Sequence, residues 1–121
     1  MLVSIIIPYY NDKKYIYRSV SSALSQSYQN IEIIIIDNEN SLISKKILSD
    51  ISKKSKKIKI ISNNKEANLV GIGRNIGIKN SRGKYICFLD SDDYWSKNKL
   101  RIQIKELKNQ NADVLFTGFT A

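Results

Sequence analysis

Short unbroken apolar runs alternate along this chain with stretches in which apolar residues return every three or four positions. Leu2 to Ile7 is rich in β-branched residues and predicts a strand that Pro8 ends, because proline has no N–H for a central ladder. Ile31 to Ile36, Ile58 to Ile61, Tyr85 to Leu89 and Val114 to Phe116 predict four further strands. Between them lie helical patterns. Ile16, Val20 and Leu24 mark the first, with Asn11 or Asp12 as its cap, and Ile43, Ile47 and Ile51 give the second an apolar stripe at i, i+4, i+8. Leu69 to Lys79 is a third, in which Gly71, Gly73 and Gly77 each cost about 1 kcal/mol relative to alanine. Leu100, Ile104 and Leu107 mark a fourth. Continuous apolar strands separated by helices predict an α/β fold, a mostly parallel sheet with helices on both faces.

A parallel sheet brings the carboxyl ends of its strands to one edge, where open α/β sheets bind ligands. Pro8-Tyr9-Tyr10-Asn11, Asp37-Asn38 and Asp90-Ser91-Asp92-Asp93 therefore converge, although they are far apart in sequence. Carboxylates crowded within four residues repel unless something compensates, and their hard oxygens suit Mg²⁺ or Mn²⁺. Asp90-Ser91-Asp92 thus reads as a grip on a metal and a diphosphate; the other reading is a turn in which Asp90 or Asp93 caps the next helix. Tyr10 suits stacking on a nucleobase, with one of Tyr9 and Tyr10 packing on the first helix instead. Asp37 either reads the ligand or starts the turn before the second helix. Gly71, Gly73 and Gly77 miss the spacing of a dinucleotide fingerprint. They permit a tight passage from loop to helix, with Arg74 and Asn75 projecting toward a phosphate or base, or else a close packing contact.

The 121 residues suffice for one core, and 42% hydrophobic with 26% charged residues is ordinary for a folded domain. The single Cys87 excludes an internal disulfide, and the absence of histidine excludes a Ser-His-Asp triad and any histidine-containing zinc site. Any chemistry must rest on carboxylates. The net charge of +9 concentrates in Lys45, Lys46, Lys53, Lys54, Lys56, Lys57, Lys59 and Lys65. One reading is a solvated helix face and basic loop; the functional one is peripheral contact with anionic lipid through the Lys45–Lys59 region. Nucleic acid is not expected, since this stretch lacks an aromatic-rich or Arg-rich reading element. With no apolar run near the roughly 20 residues a span needs, and no leader, the expected location is cytoplasmic, peripheral at the inner face of the membrane if the lysines act there.

Taken together, these residues resemble the family-two, inverting, nucleotide-sugar-dependent glycosyltransferases of the GT-A fold. Val3 to Asn11 is similar to that family's opening strand, Ser22-Ala23-Leu24-Ser25-Gln26-Ser27-Tyr28 to the end of its first helix, and Glu32 to Asp37 to its second strand. Gly73-Arg74-Asn75-Ile76-Gly77-Ile78 and Gly83 to Asp93 match its later signatures. The resemblance implies that residues 1–121 form the Rossmann-like, nucleotide-sugar-binding portion of a GT-A domain. Pro8 and Tyr10 would line the base pocket, Asp37 and Asn38 would sit at base and ribose, and Arg74 near base or diphosphate. Asp90 would contact the ribose side and share the Mg²⁺ or Mn²⁺ with Asp92, the direct ligand. The donor would be a nucleoside-diphosphate sugar, a UDP-sugar being favoured, and the acceptor a saccharide or lipid-linked hydroxyl in cell-surface polysaccharide biosynthesis. Asn38-Glu39-Asn40 departs from the family's second Asp and small turn, Gly73 replaces an alanine, and Lys97 stands where proline is common. The general base and acceptor-binding half are expected beyond Ala121, with Asp113 structural. A non-catalytic nucleotide-binding or scaffolding domain derived from such an enzyme is the alternative. A phospho-receiver is not, because its phospho-acceptor should follow the third strand, where this chain has Ser62 and Asn63.

Overall fold

A computed structural model describes residues 1–63 and 70–110. The elements run β1 (Val3–Tyr9), α1 (Ile16–Leu24), β2 (Ile31–Asp37), α2 (Leu42–Ser52), β3 (Ile58–Ser62), α3 (Val70–Asn80), β4 (Tyr85–Phe88) and α4 (Lys99–Gln110). The strands stand in the order β3-β2-β1-β4, all parallel. The strand expected at Val114–Phe116, and Asp113 beside it, lie outside the described residues.

Alternation explains why β1 and β2 are apolar at nearly every position, Ser4, Glu32 and Asp37 apart. Val3, Ile5, Ile7, Tyr9, Ile31, Ile33 and Ile35 pack with Ile16, Val20 and Ala23 of α1, Leu48 and Ile51 of α2, and Leu100 and Ile104 of α4. The intervening Ile6, Ile34 and Ile36 form a second cluster with Ile76 of α3. Both faces are covered, so every position of these two strands is buried. Each fully buried isoleucine contributes roughly 1.5–3 kcal/mol.

Three local expectations are corrected. β1 does not stop at Pro8: Pro8 pairs with Ile36 and Tyr9 with Asp37. The Val3 amide and the Tyr9 carbonyl bond toward β2, whereas the Leu2 and Ile6 carbonyls accept from Lys84 and Leu89 on the β4 side. Pro8 shares the parity of Leu2 and Ile6, so its nitrogen faces the side where pairing ended at Ile6 and Phe88, and no ladder bond is lost. Secondly, α1 starts at Ile16, and its cap position, Tyr15, has no capping side chain. The Asp12 backbone carbonyl accepts from the Tyr15 and Ile16 amides at 3.0 Å each, which leaves the Asp12 carboxylate for other work.

Thirdly, the buried stripe of α2 is Ser44, Leu48 and Ile51; of the expected Ile43, Ile47 and Ile51, Ile51 is buried and Ile47 packs partly buried on the core, whereas Ile43 is not part of it. Ser41 and Ser44 form a reciprocal capping box, and the buried Ser44 hydroxyl also donates to Asp37 Oδ2 at 3.0 Å. These bonds fix the helix's rotation and turn Leu42 (89% exposed) and Ile43 (58%) to solvent. The lysine run splits accordingly. Lys45 and Lys46 are exposed near the start of α2, while Lys53 to Lys57 connect its end to Ile58, paired with Ile33 toward the opposite edge of the sheet.

At that opposite edge one carboxylate ties three segments together. Glu32 Oε2 accepts from Ser4 Oγ at 2.5 Å and from the Arg82 amide at 2.6 Å, and Ser4 Oγ accepts from the Gly83 amide at 2.8 Å. Burial alone pushes the Glu32 carboxyl up, but the Ser4 and Arg82 hydrogen bonds and the Arg82 and Lys59 charges outweigh it, leaving it below its ordinary 4.5. The stability it supplies is complete above that ordinary value and drains away as pH falls toward the lowered folded one. Glu32→Gln is expected to cost roughly 1–3 kcal/mol near neutrality. Urea melts should show the gap to the parent narrowing near pH 3; an equal gap at both pH values would sink the assignment.

Candidate functional site

An open cleft of about 370 Å³ lies at the carboxyl edge of the sheet, lined by Pro8, Tyr10, Asp12, Asn38, Arg74, Asp90, Ser91 and Asp92. They come from four places: the end of β1 and its loop, the end of β2, the first turns of α3, and the turn after β4. Pro8, Tyr10, Asn38, Arg74, Asp90 and Asp92, all predicted from sequence, meet here. Asp37 does not.

The two tyrosines divide as the pleat requires. Tyr9 is buried in the core, where burial and the nearby Glu39, Asp37 and Asp12 carboxylates push its hydroxyl up to about 12, so it stays neutral. Tyr10, 54% exposed, offers its ring to the cleft. Asn11 adopts a left-handed φ of 56°, which asparagine tolerates, and its amide donates to Glu39 Oε1 at 2.9 Å, tying the β1 and β2 loops together.

Asp37, expected at base and ribose, is 1% exposed and fully engaged. Its Oδ1 accepts from the Glu39 and Asn40 amides at 3.1 and 3.0 Å, and its Oδ2 from Ser44 Oγ. It builds the turn into α2, which is the other role the sequence allowed. The residue after it is the one that faces the cleft. Asn38 Oδ1 accepts from Asn63 Nδ2 at 2.8 Å, a buried bond.

The acidic segment is a turn closed by the Asp93 amide donating to the Asp90 carbonyl at 3.0 Å. Helix α1 holds its backbone. The buried Ser19 hydroxyl lies 2.7 Å from the Ser91 carbonyl and closer still to that of Asp93, while Arg18 Nη2 donates to the Asp92 carbonyl at 3.0 Å. Gln26, also buried, donates to the Ser96 carbonyl at 2.7 Å and accepts the Leu100 amide at 3.1 Å, so it anchors the loop and caps α4 together. Arg18 and Ser19 of α1 thus clamp the acidic turn, and Gln26 of the Ser22–Tyr28 motif clamps the loop after it, leaving the Asp92 carboxylate exposed at the cleft.

One cleft residue, Asp12, is not among the predicted ligand contacts. Asp12 accepts from Ser91 Oγ in a short hydrogen bond joining the β1 loop to the acidic turn. The sequence offers Asp12 as a helix cap, and its place directly after a strand end is the signal for a position at the cleft. Arg74 Nη2 donates to Asp90 Oδ1 at 3.3 Å, and its guanidinium lies 5.6 Å from the Phe88 ring centre. Arg74 Nε is buried without a partner among the described residues. Asn75 is exposed away from the lining.

Among the described residues no group of three or more acidic, cysteine or histidine side chains could hold a metal by itself. A cation shared with a diphosphate would need only one or two carboxylates, with phosphate oxygens and water in the other positions. Asp92 is free for that role, whereas Asp90 already has one oxygen on Arg74. Cys87 packs partly buried against the core, where burial pushes its thiol up to about 11 despite the Lys99 charge.

Glycosyl transferase family 2 matches residues 4–121. The chain belongs to that family. This family-2 chain is 42% identical over 98% of its length to the Escherichia coli UDP-Glc:alpha-D-GlcNAc-diphosphoundecaprenol beta-1,3-glucosyltransferase WfaP, and covers 46% of it. It is 34% identical over 98% of its length to the Bacillus subtilis putative teichuronic acid biosynthesis glycosyltransferase TuaG, covering 47% of that protein. The S. aureus TarS crystal structure superimposes with a TM-score of 0.80 at 26% identity, over 92% of this chain and 20% of TarS. The chain thus spans about half the length of the two curated relatives. Its parallel sheet and flanking helices are the Rossmann-like α/β arrangement of the GT-A fold. No helix among the described residues is long and apolar enough to cross a membrane.

Proposed function

We propose that the chain is the donor-binding portion of a glycosyltransferase that moves a sugar from a nucleoside-diphosphate sugar to an acceptor hydroxyl with inversion. The observation that supports this most is the meeting of an exposed aromatic ring, a nearly buried amide, an arginine and a free carboxylate around one cleft at the carboxyl edge of the sheet. Tyr10 and Pro8 take the base, Asn38 its edge, Arg74 the diphosphate, and Asp90 holds Arg74 in place while reaching the ribose side. Asp92 would hold Mg²⁺ or Mn²⁺, which when bound would supply positive charge to the diphosphate leaving group. The acceptor oxygen forms its bond to the anomeric carbon as the bond to the diphosphate oxygen breaks, and one displacement inverts the centre. The hydroxyl proton leaves to a base that no residue of this chain is assigned. WfaP's named donor makes a UDP-sugar the first choice, and its named acceptor suggests a lipid-linked saccharide.

Calorimetry with UDP and Mn²⁺ tests the reading: saturable binding that chelation weakens is expected. Tyr10→Ala should then lose roughly 1–3 kcal/mol, the scale of one base stacked on an aromatic ring. Unaltered affinity removes Tyr10 from the base pocket.

Peripheral lipid contact belongs with the start of α2, since Leu42, Ile43, Lys45 and Lys46 are exposed there and the Glu39 to Asn11 bond joins that loop to the cleft mouth. Flotation with anionic vesicles should weaken by about 1 kcal/mol per lysine when Lys45 and Lys46 are replaced by glutamine. No flotation of the parent chain would exclude the contact.

A further inference from the structure

Taking the cleft as a nucleotide site, we infer that the Asn38 side chain holds a fixed N–H donor toward it and selects the nucleobase through a carbonyl oxygen. Asn38 is only 5% exposed, yet it lines the cleft. Its Oδ1 is taken by Asn63 Nδ2 at 2.8 Å. Asn63 is itself anchored: its amide donates to the Asp37 carbonyl at 2.9 Å, and its carbonyl accepts from Asn40 Nδ2. The backbone of α3 closes another side. A Cβ placed on Gly73 would lie 2.9 Å from Asn38 Oδ1 and 3.0 Å from Nδ2, so the amide is walled in where the helix begins.

Among the described residues Asn38 Nδ2 donates to nothing. The residue is nearly buried, but Nδ2 is not among the buried atoms without a partner, so this donor opens onto the cleft, where a ligand acceptor can take the place of water. The position lies one residue beyond the Tyr9–Asp37 pair, directly across from Tyr10, so the donor borders the ring on which the base would stack. A carboxylate there would only accept and would suit a ring N–H. The amide, with its oxygen occupied, suits a carbonyl oxygen instead.

The experiment titrates the 121-residue chain with UDP, 2-thio-UDP and 4-thio-UDP in the presence of Mn²⁺. Sulfur is the poorer acceptor, so one of the two analogues should bind about tenfold more weakly than UDP, the scale of one hydrogen bond. Equal affinity for all three overturns the inference, and this arm needs no variant. Asn38→Asp, isosteric but acceptor-only, should lose about tenfold, as should Asn63→Asp, which obliges the Asn38 amide to donate toward residue 63 and turn its oxygen outward. Thermal melts confirm that both variants are folded. UDP binding by Asn38→Asp as tight as the parent's, or tighter, means the base offers a donor, and it overturns the inference while leaving the nucleotide reading intact. No UDP binding by the parent chain removes both.

Discussion

Asp92→Ala should make UDP titrations with Mn²⁺ and with a chelator superimpose. The carboxylate can be removed without disturbing the turn, because Asp92 is held through its main chain: Arg18 takes its carbonyl, and Ser19 takes those of Ser91 and Asp93. Its side chain is exposed at the cleft, so no packing is lost with it. A loss of tenfold to hundredfold is typical of outer-shell partners around bound metals, and a direct ligand should lose at least about as much. Asp90→Asn should behave differently. It frees Arg74 from its ion pair, so affinity should fall with and without metal alike. If Asp92→Ala keeps the full gain from Mn²⁺ while Asp90→Asn loses it, the two assignments are exchanged; if neither changes it, the acidic turn is not a metal site.

The difference between these two aspartates could not have been read from Asp90-Ser91-Asp92-Asp93, where each is simply a carboxylate after a strand. What the chain made legible was coarse position. The β-branched runs are buried on both sides, so their apolar continuity announced a parallel sheet, and the strand-end rule then put the right segments at one edge. Errors arose where the main chain or a small polar group decides the outcome. Ser44 looks like a solvent-facing helix residue, but its bond to Asp37 rotates α2 and displaces Ile43 from the core. The same bond withdraws Asp37 from the cleft and leaves Asn38 there. Pro8 was expected to stop β1 because its lack of an N–H is visible in sequence, whereas the direction in which that nitrogen points depends on register. Asp12 looked like a cap because its partner, Ser91, lies in a distant segment.

Gly77→Ala should destabilise the fold by roughly 1–3 kcal/mol, although alanine is the better helix former by up to about 1 kcal/mol. Gly77 sits where α3 crosses β1. An added Cβ would lie 2.6 Å from Ile6 Cγ2, 3.0 Å from Cδ1 and 3.1 Å from Cγ1. Ile6 cannot move aside, being fully buried and enclosed by Ile34, Ile36 and the partly buried Ile61 and Ile76, so the helix must lift instead. Lifting α3 shifts Arg74 relative to Asp90 and Gly73 relative to Asn38, so UDP affinity should fall together with stability. The cause can be isolated by a double-mutant cycle. Ile6→Ala alone should cost about 2–5 kcal/mol, but combined with Gly77→Ala the total should be smaller than the sum by about 0.5–3 kcal/mol, since the second methyl then enters space the first change opened. Strict additivity, or a Gly77→Ala chain at least as stable as the parent, would show that the helix does not rest on Ile6 and that the cleft's α3 side is positioned by something else.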